Sequence, residues 1–270
     1  LGDGKLLSKL TNKTVIYDFR QNDLRNFGEG APLTPIFHKL LVKQNKVNLP
    51  ATIINIGGII NMTTIQEDGR FDAKDAGPGM CLIDKWIRSN SIKKYDNKGN
   101  IAKAGKINEK ILSNGFNSYF SSVDNNLKIL QKSFDVKFFE YFFGGAGTPL
   151  LKSLSLEDGV TTLTEFTARI LSFHLVDQDR GAPHIRSSLG SRFIFCGGGR
   201  KNNFLLEKIK KEINGKVKVE LIDKLGIDGD FVESQAFAYL AIRSYLKLPI
   251  SFPETTGVRK PCTGGVICKN

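Results

Sequence analysis

The sequence predicts a mixed α/β fold, and three stretches carry that prediction. Two β-branched runs in "ATIINIGGIINMTTI" (51–65) meet at Gly57-Gly58, and a Gly-Gly pair supplies the positive φ values of a tight hairpin turn. "RFIFCGGGRKNNFLLEKIKKEI" (192–213) reads as strand, triple glycine and helix, with "VKVELI" (217–222) as the next strand. "GDFVESQAFAYLAIRSYLKL" (229–248) holds a long helical pattern that ends before Pro249. A hairpin followed by helices, then strand alternating with helix, suits strands and helices layered around one core.

The other elements follow in chain order. "NKTVIYDF" (12–19) reads as a short buried strand bounded by turn formers, and "LTPIFHKLLVKQ" (33–44) as a helix that tolerates Pro35 in its first turn. Helical patterns at about 80–90 and 107–120 flank a polar turn segment, "YDNKGNIAKAG" (95–105). "LTEFTARILSFHL" (163–175) is an amphipathic helix with Thr162 or Thr164 at its start. His174 sits there among Leu171, Phe173 and Leu175, which favours a structural role. The tail beyond Pro249, rich in Pro, Thr and Gly, reads as a wrapping loop.

The totals narrow the function classes. The 270 residues with 40% hydrophobic content suffice for one large domain or two lobes. No run approaches the roughly 18 apolar residues of a membrane helix, so no membrane partner is expected. The net charge of +12 comes mostly from lysines scattered singly or in pairs, without an arginine-rich helix or RNA-binding aromatics. That pattern is a solvated surface, and no nucleic-acid partner is expected. The four cysteines, Cys81, Cys196, Cys262 and Cys268, form no CxxC pair, and the three histidines have no metal-ligand spacing. No protein-held metal site and a reduced, cytoplasmic location are the expectations.

Three glycine-rich turns stand out: "NIGGIIN" (55–61), "DAGPG" (75–79) and "CGGGRKNN" (196–203). A strand-to-glycine turn before a helix aims backbone N–H groups at phosphate, although glycine turns also serve simple connectivity. "CGGGRKNN" has neither the Lys-Ser/Thr ending of a P-loop nor dinucleotide-fingerprint spacing. In "KDAGPGMCLID" (74–84), Gly77, Pro78 and Gly79 can hold Asp75 at a fixed place before a helix. Asp75 then either caps that helix or does chemistry. Glu233 falls in the first turn of the long C-terminal helix, where the dipole alone would favour it. Asp84, inside "MCLIDKWI", reads as a partnered or surface carboxylate.

Taken together, "LGDG", "DFRQNDLRNFGEGAPLTPIFH", "NIGGIINMT", "DAGPGMCLID", "YDNKGNIAKAG", "TLTEFTA", "CGGGRKNNFL", "GIDGDFVESQAFAYLA" and "LPISFPETTGV" resemble, in order, the anhydro-N-acetylmuramic acid kinase family. The resemblance implies a two-lobed actin-like ATPase fold of the ribonuclease H-like kind. Residues 1–49 with 246–270 would form the remainder of an incomplete first lobe, and 50–245 the second. It implies ATP-dependent phosphorylation at O6 of the sugar, coupled to hydrolytic opening of the 1,6-anhydro bridge, in peptidoglycan recycling. ATP and Mg2+ are the implied cofactors, an amino sugar the substrate, and a homodimer the assembly. Asp75 would be the general base and Glu233 would assist near the phosphates. Asn55, Gly57, Gly58, Gly197, Gly198, Gly199 and Asn202 would contact ATP, and Gly77, Gly79, Lys132 and Ser133 the sugar. The sequence departs from the family pattern at Ala76, Met80 and Val136, and the family's Gly-Thr-Ser-x-Asp-Gly phosphate loop does not occur in it. A different sugar kinase on the same fold, or a silent sugar-binding relative, are the alternatives.

Overall fold

In a computed structural model, residues 2–125, 136–143, 151–177 and 192–269 are described. Its centre is a five-stranded sheet in the order β4-β3-β2-β5-β6. These strands are β2 (Ala51–Ile56), β3 (Ile59–Ile65), β4 (Phe71–Pro78), β5 (Arg192–Cys196) and β6 (Lys218–Leu221). β3 pairs antiparallel with β2 and with β4, whereas β2, β5 and β6 pair in parallel. This is the ribonuclease H-like arrangement: an antiparallel meander, then a crossover to parallel strands.

The sheet is buried on both sides because its strands are apolar on both faces. One face holds Ile53, Ile65, Ile194 and Cys196 beneath α3 (Pro35–Gln44) and α10 (Val232–Tyr245). The opposite face holds Ile54, Met62, Phe193 and Phe195 beneath α8 (Leu156–Asp177) and α9 (Asn203–Ile213). A further cluster joins α8 to α4 (Cys81–Asn90), α5 (Asn100–Ala104), α6 (Glu109–Asn125) and α7 (Val136–Glu140), around Trp86, Phe143 and Phe166. Apart from the sheet, β1 (Val15–Tyr17) pairs antiparallel with β7 (Val266–Cys268), beside α1 (Gly4–Thr11). The short helices α2 (Gln21–Arg25) and α11 (Pro253–Thr256) meet through Asp23, whose Oδ2 accepts the Thr256 hydroxyl at 2.5 Å.

Several sequence expectations are corrected here. α8 begins at Leu156, not at Thr162 or Thr164; Ser155 Oγ accepts the Asp158 N–H at 3.1 Å at its start. The two threonines lie inside the helix and donate to carbonyls one turn back, of Asp158 and Val160, each at 2.8 Å. The segment 95–105 is not simply a turn, since it holds a 3₁₀ turn at Asn97–Gly99 and α5. The first strand is half-buried rather than buried, and the tail contributes α11 and β7 instead of a plain loop. "DAGPG" is not a turn either, because Asp75 to Pro78 continue β4.

Candidate active site

The carboxyl ends of the parallel strands β2, β5 and β6, and of β4, open on one edge of the sheet, where open α/β sheets bind ligands. The Gly57-Gly58 turn and the junction between β4 and α4 are stitched together there. The Gly57 carbonyl accepts the Met80 N–H at 2.8 Å, and the Gly58 carbonyl accepts Gly79 at 3.0 Å and Cys81 at 3.1 Å. A Cβ at Gly79 would run into the Gly57 carbonyl, so only glycine lets the start of α4 come this close. Gly197, at φ 79°, leaves no room for a side chain between Asn55 and the Ile56 carbonyl. Asn55, opposite Cys196 in the sheet, thus packs closely against the triple-glycine turn.

Between these turns lies a cavity of about 970 Å3. Gly57, Gly58, Gly198, Gly199 and Asn202 line it, together with Asp84 and Lys98. The volume and the backbone-rich lining suit a nucleotide. Asn202 is 3% exposed and caps α9, its Oδ1 accepting the Leu205 N–H at 3.0 Å. Its Nδ2 donates to nothing among the described residues, which leaves a donor for a bound molecule. Asp84 is half-buried with the Arg88 charge near it; its Oδ1 is shut off from water and accepts no hydrogen bond among the described residues. Burial pushes its pKa up to about 6, Arg88 opposing and Asp96 adding to the shift. Sequence reading missed Asp84 because its surroundings come from the distant Asp96 turn.

Arg200, next to the glycines, is committed to the protein. Its guanidinium donates to Asp223 at 2.8 and 3.0 Å, to Asp230 at 2.8 Å and to the Gly197 carbonyl at 3.0 Å. Lys201 also pairs with Asp230. These ties hold the Arg200 pKa above its ordinary value and those of Asp223 and Asp230 below theirs. The arginine therefore locks the turn rather than waiting for phosphate. "GRK" followed by "GIDGD" was the available signal for that lock.

Asp75 stands on β4 directly across from Asn61, and its Oδ1 accepts the Asn61 amide at 3.1 Å. Register places Asn55, Asn61, Asp75 and Cys196 on one face of the sheet, the face of α3 and α10. Directly after Asp75 the pairing shifts: Asn61 opposes Asp75 but Ile60 opposes Gly77, so Ala76 is bulged. The Ala76 carbonyl accepts the Tyr119 hydroxyl at 3.2 Å, and that phenol oxygen lies 3.0 Å from His174 Nε2. Gly77 adopts φ 145°, and a Cβ there would come within 2.6 Å of Ile170. Asp75 is thus fixed from behind. Glu233 is exposed in the first turn of α10, close enough for its charge to help raise the Cys196 pKa. Neither Asp75 nor Glu233 lines the cavity. Asp75 does not cap α4, whose N-cap position is Met80. Lys132 and Ser133 lie outside the described residues. Among the described residues no three His, Cys, Asp or Glu side chains converge as a metal site, and no helix is long and apolar enough to cross a membrane.

The profile of the anhydro-N-acetylmuramic acid kinase family matches residues 1–270. The anhydro-N-acetylmuramic acid kinase of Pelagibacter ubique (strain HTCC1062) is 46% identical over 100% of this chain and 68% of its own length. That of Methylobacterium nodulans is 37% identical over 100% of this chain and 66% of its own, and that of Agrobacterium fabrum 35% over 100% and 68%. The chain thus spans about two thirds of the length of these relatives. Among solved structures, the activator of the 2-hydroxyisocaproyl-CoA dehydratase from Clostridium difficile with bound ADPNP aligns over 78% of this chain and 68% of its own at 18% identity. Its TM-score of 0.41 is too low to carry an argument.

Proposed function

The chain belongs to the anhydro-N-acetylmuramic acid kinase family, and from that premise we propose how its residues divide the reaction. The family's activity is ATP-dependent phosphorylation in peptidoglycan recycling. The substrate is 1,6-anhydro-N-acetylmuramic acid and the product N-acetylmuramic acid 6-phosphate, formed in the bacterial cytoplasm. The observation that carries this reading is the pairing of two features on one sheet edge: a strand-borne Asp75 held by Asn61, and a glycine-lined cavity sized for a nucleotide.

Asp75 takes a proton from the water that attacks the anomeric carbon. The bond from that carbon to O6 breaks, and its electron pair stays on O6. A positioned carboxylate base contributes about 10²–10⁴-fold, or roughly 3–5 kcal/mol of barrier. ATP, when bound, would supply the γ-phosphoryl group that O6 receives, the bond to the bridging oxygen breaking and ADP leaving. Gly57, Gly58, Gly198 and Gly199 offer it backbone contacts, and Asn202 an unused amide donor. Asn55 and Gly197 act one step back, by fixing the turn. Mg2+, which commonly rests on phosphates with one or two carboxylates, is the metal that would accompany ATP. Glu233 is the carboxylate assigned to assist near the phosphates. Gly77 and Gly79 are buried, and what they give the sugar site is the backbone path that sets Asp75. Lys132 and Ser133 complete the assignment to the sugar.

A division into 1–49 with 246–270 and 50–245 is proposed on the β1–β7 pairing, which joins both ends of the chain away from the main sheet. Within it, α3 packs against that sheet from the first segment. Homodimer assembly belongs to the same proposal. The test is ADP release from Mg-ATP with 1,6-anhydro-N-acetylmuramic acid against a panel of sugars lacking the anhydro bridge. Release with the anhydro sugar alone supports the assignment; release with the open sugars overturns it.

A further inference from the structure

Asp84 and Asn202 each leave a polar atom unsatisfied at one corner of the cavity. Asp84 Oδ1 is shut off from water yet accepts no hydrogen bond, and Asn202 Nδ2 donates none. Orphans of this kind are uncommon in folded chains and call for a partner outside the chain. Both border the turn that runs from Asp96 to Gly99. Asp96 lies near enough for its charge to act on Asp84, and the Asn202 Oδ1 occupies the space a Cβ at Gly99 would need. The Asp96 carboxylate is itself committed, one oxygen accepting the Ile101 N–H at 2.8 Å and the other that of Ala102 at 3.0 Å. Asp84, with only the Arg88 charge to oppose its burial, is therefore the carboxyl at this corner with an oxygen that lacks a donor.

The chemistry of the corner selects its guest. Two carboxylates side by side repel phosphate, so the anionic end of a nucleotide belongs at the glycine turns. A cation held by the protein alone would need more ligands than converge among the described residues. A vicinal diol brings two O–H donors and no charge. The terminal torsion of Asp84 is soft, so either of its oxygens can turn to meet them. We infer that Asp84 receives the ribose hydroxyls of the nucleotide, with Asn202 Nδ2 donating to an acceptor of the same nucleoside. The inference rests on the nucleotide reading above and adds which residues select a ribonucleotide.

The test is equilibrium binding of ATP and of 2′,3′-dideoxy-ATP, with and without Mg2+, to the chain and to Asp84→Asn. A hydrogen bond to a charged group is worth about tenfold or more in affinity, so the dideoxy nucleotide binds the unaltered chain at least that much more weakly. In Asp84→Asn, which keeps the size of the side chain, the two nucleotides bind alike. Equal binding of both to the unaltered chain overturns the inference, as does undiminished discrimination in the variant. A defect of the variant seen only with Mg2+ present also overturns it, making Asp84 a cation ligand. If ATP itself fails to bind the unaltered chain, the nucleotide reading falls too.

Discussion

Two carboxylates nine positions apart in the chain show how differently a site residue can be built. Asp75 on β4 gets its place from the backbone: sheet register sets it opposite Asn61, and the Ala76 bulge behind it is held by Tyr119. Asp84, in the first turn of α4, gets its character from surroundings that do not satisfy it. A group meant to act on one atom is well served by a rigid mount. A group meant to receive a ligand can be left short of partners until the ligand arrives. The rigid region and the unsatisfied region share one sheet edge, as the proposed division of roles requires.

The sharpest way to break the rigid side is at Gly77. Gly77→Ala places a Cβ against Ile170 at a φ that side chains rarely adopt, and should cost about 2–3 kcal/mol in denaturant unfolding. The same change should lower ADP release, because the bulge sets Asp75; unchanged stability and turnover would mean the mount is soft.

Next in size is a pH effect that belongs to the interior and not to the cavity. Burial lowers the pKa of His38 to about 4, and that of His174 to about 3 with the Lys74 charge adding to the effect. His38 is buried and His174 half-buried, and both are neutral, so the unfolded chain binds more protons at any pH between those values and the ordinary 6.5. Stability is therefore full above about 6.5 and falls as the solution is acidified below it. Between pH 7 and 5 the loss should be about 2 kcal/mol per histidine. A flat stability profile across that range would contradict the buried, neutral assignment.

Removing the Tyr119 hydroxyl is a milder probe of the mount. Tyr119→Phe leaves the Ala76 carbonyl without that donor and should cost about 1–2 kcal/mol by thermal or denaturant unfolding. The smallest expected effect is at Asp84. Its pKa near 6 means that ATP affinity weakens only a few-fold as pH drops from 7 to 5.5, since a protonated carboxyl accepts poorly. Asp84→Asn should abolish that pH dependence in a binding titration while leaving the histidine-driven stability loss in place.

Much of the architecture was legible because it is local. Gly57-Gly58 between β-branched runs forced a hairpin, and the triple glycine after an apolar strand forced a strand-turn-helix. β4 was not legible. Asp72, Lys74 and Asp75 mask it with polar side chains, although Phe71, Ala73 and Asp75 alternate on one face once β3 lies beside them. The start of α8 was placed late because Gly159 and a run of threonines are poor helix formers. Tertiary packing overrides them, for Gly159 gives room to the Trp86 ring, whose Nε1 donates to the Leu156 carbonyl at 3.1 Å. β7 was hidden because its partner β1 lies at the opposite end of the chain. At the site, the glycine turns and Asp75 stood out by motif. Asp84 did not, since an unsatisfied oxygen is a property of the fold and not of any neighbouring residue.

Asp75 is proposed to perform chemistry on a mount separate from the glycine-lined cavity. Asp75→Asn tests this most directly, with ATP binding measured beside ADP release from Mg-ATP and 1,6-anhydro-N-acetylmuramic acid. The account predicts ATP affinity within about twofold of the unaltered chain and turnover lower by 10²–10⁴-fold. Retained turnover, or loss of ATP binding in step with turnover, would contradict it.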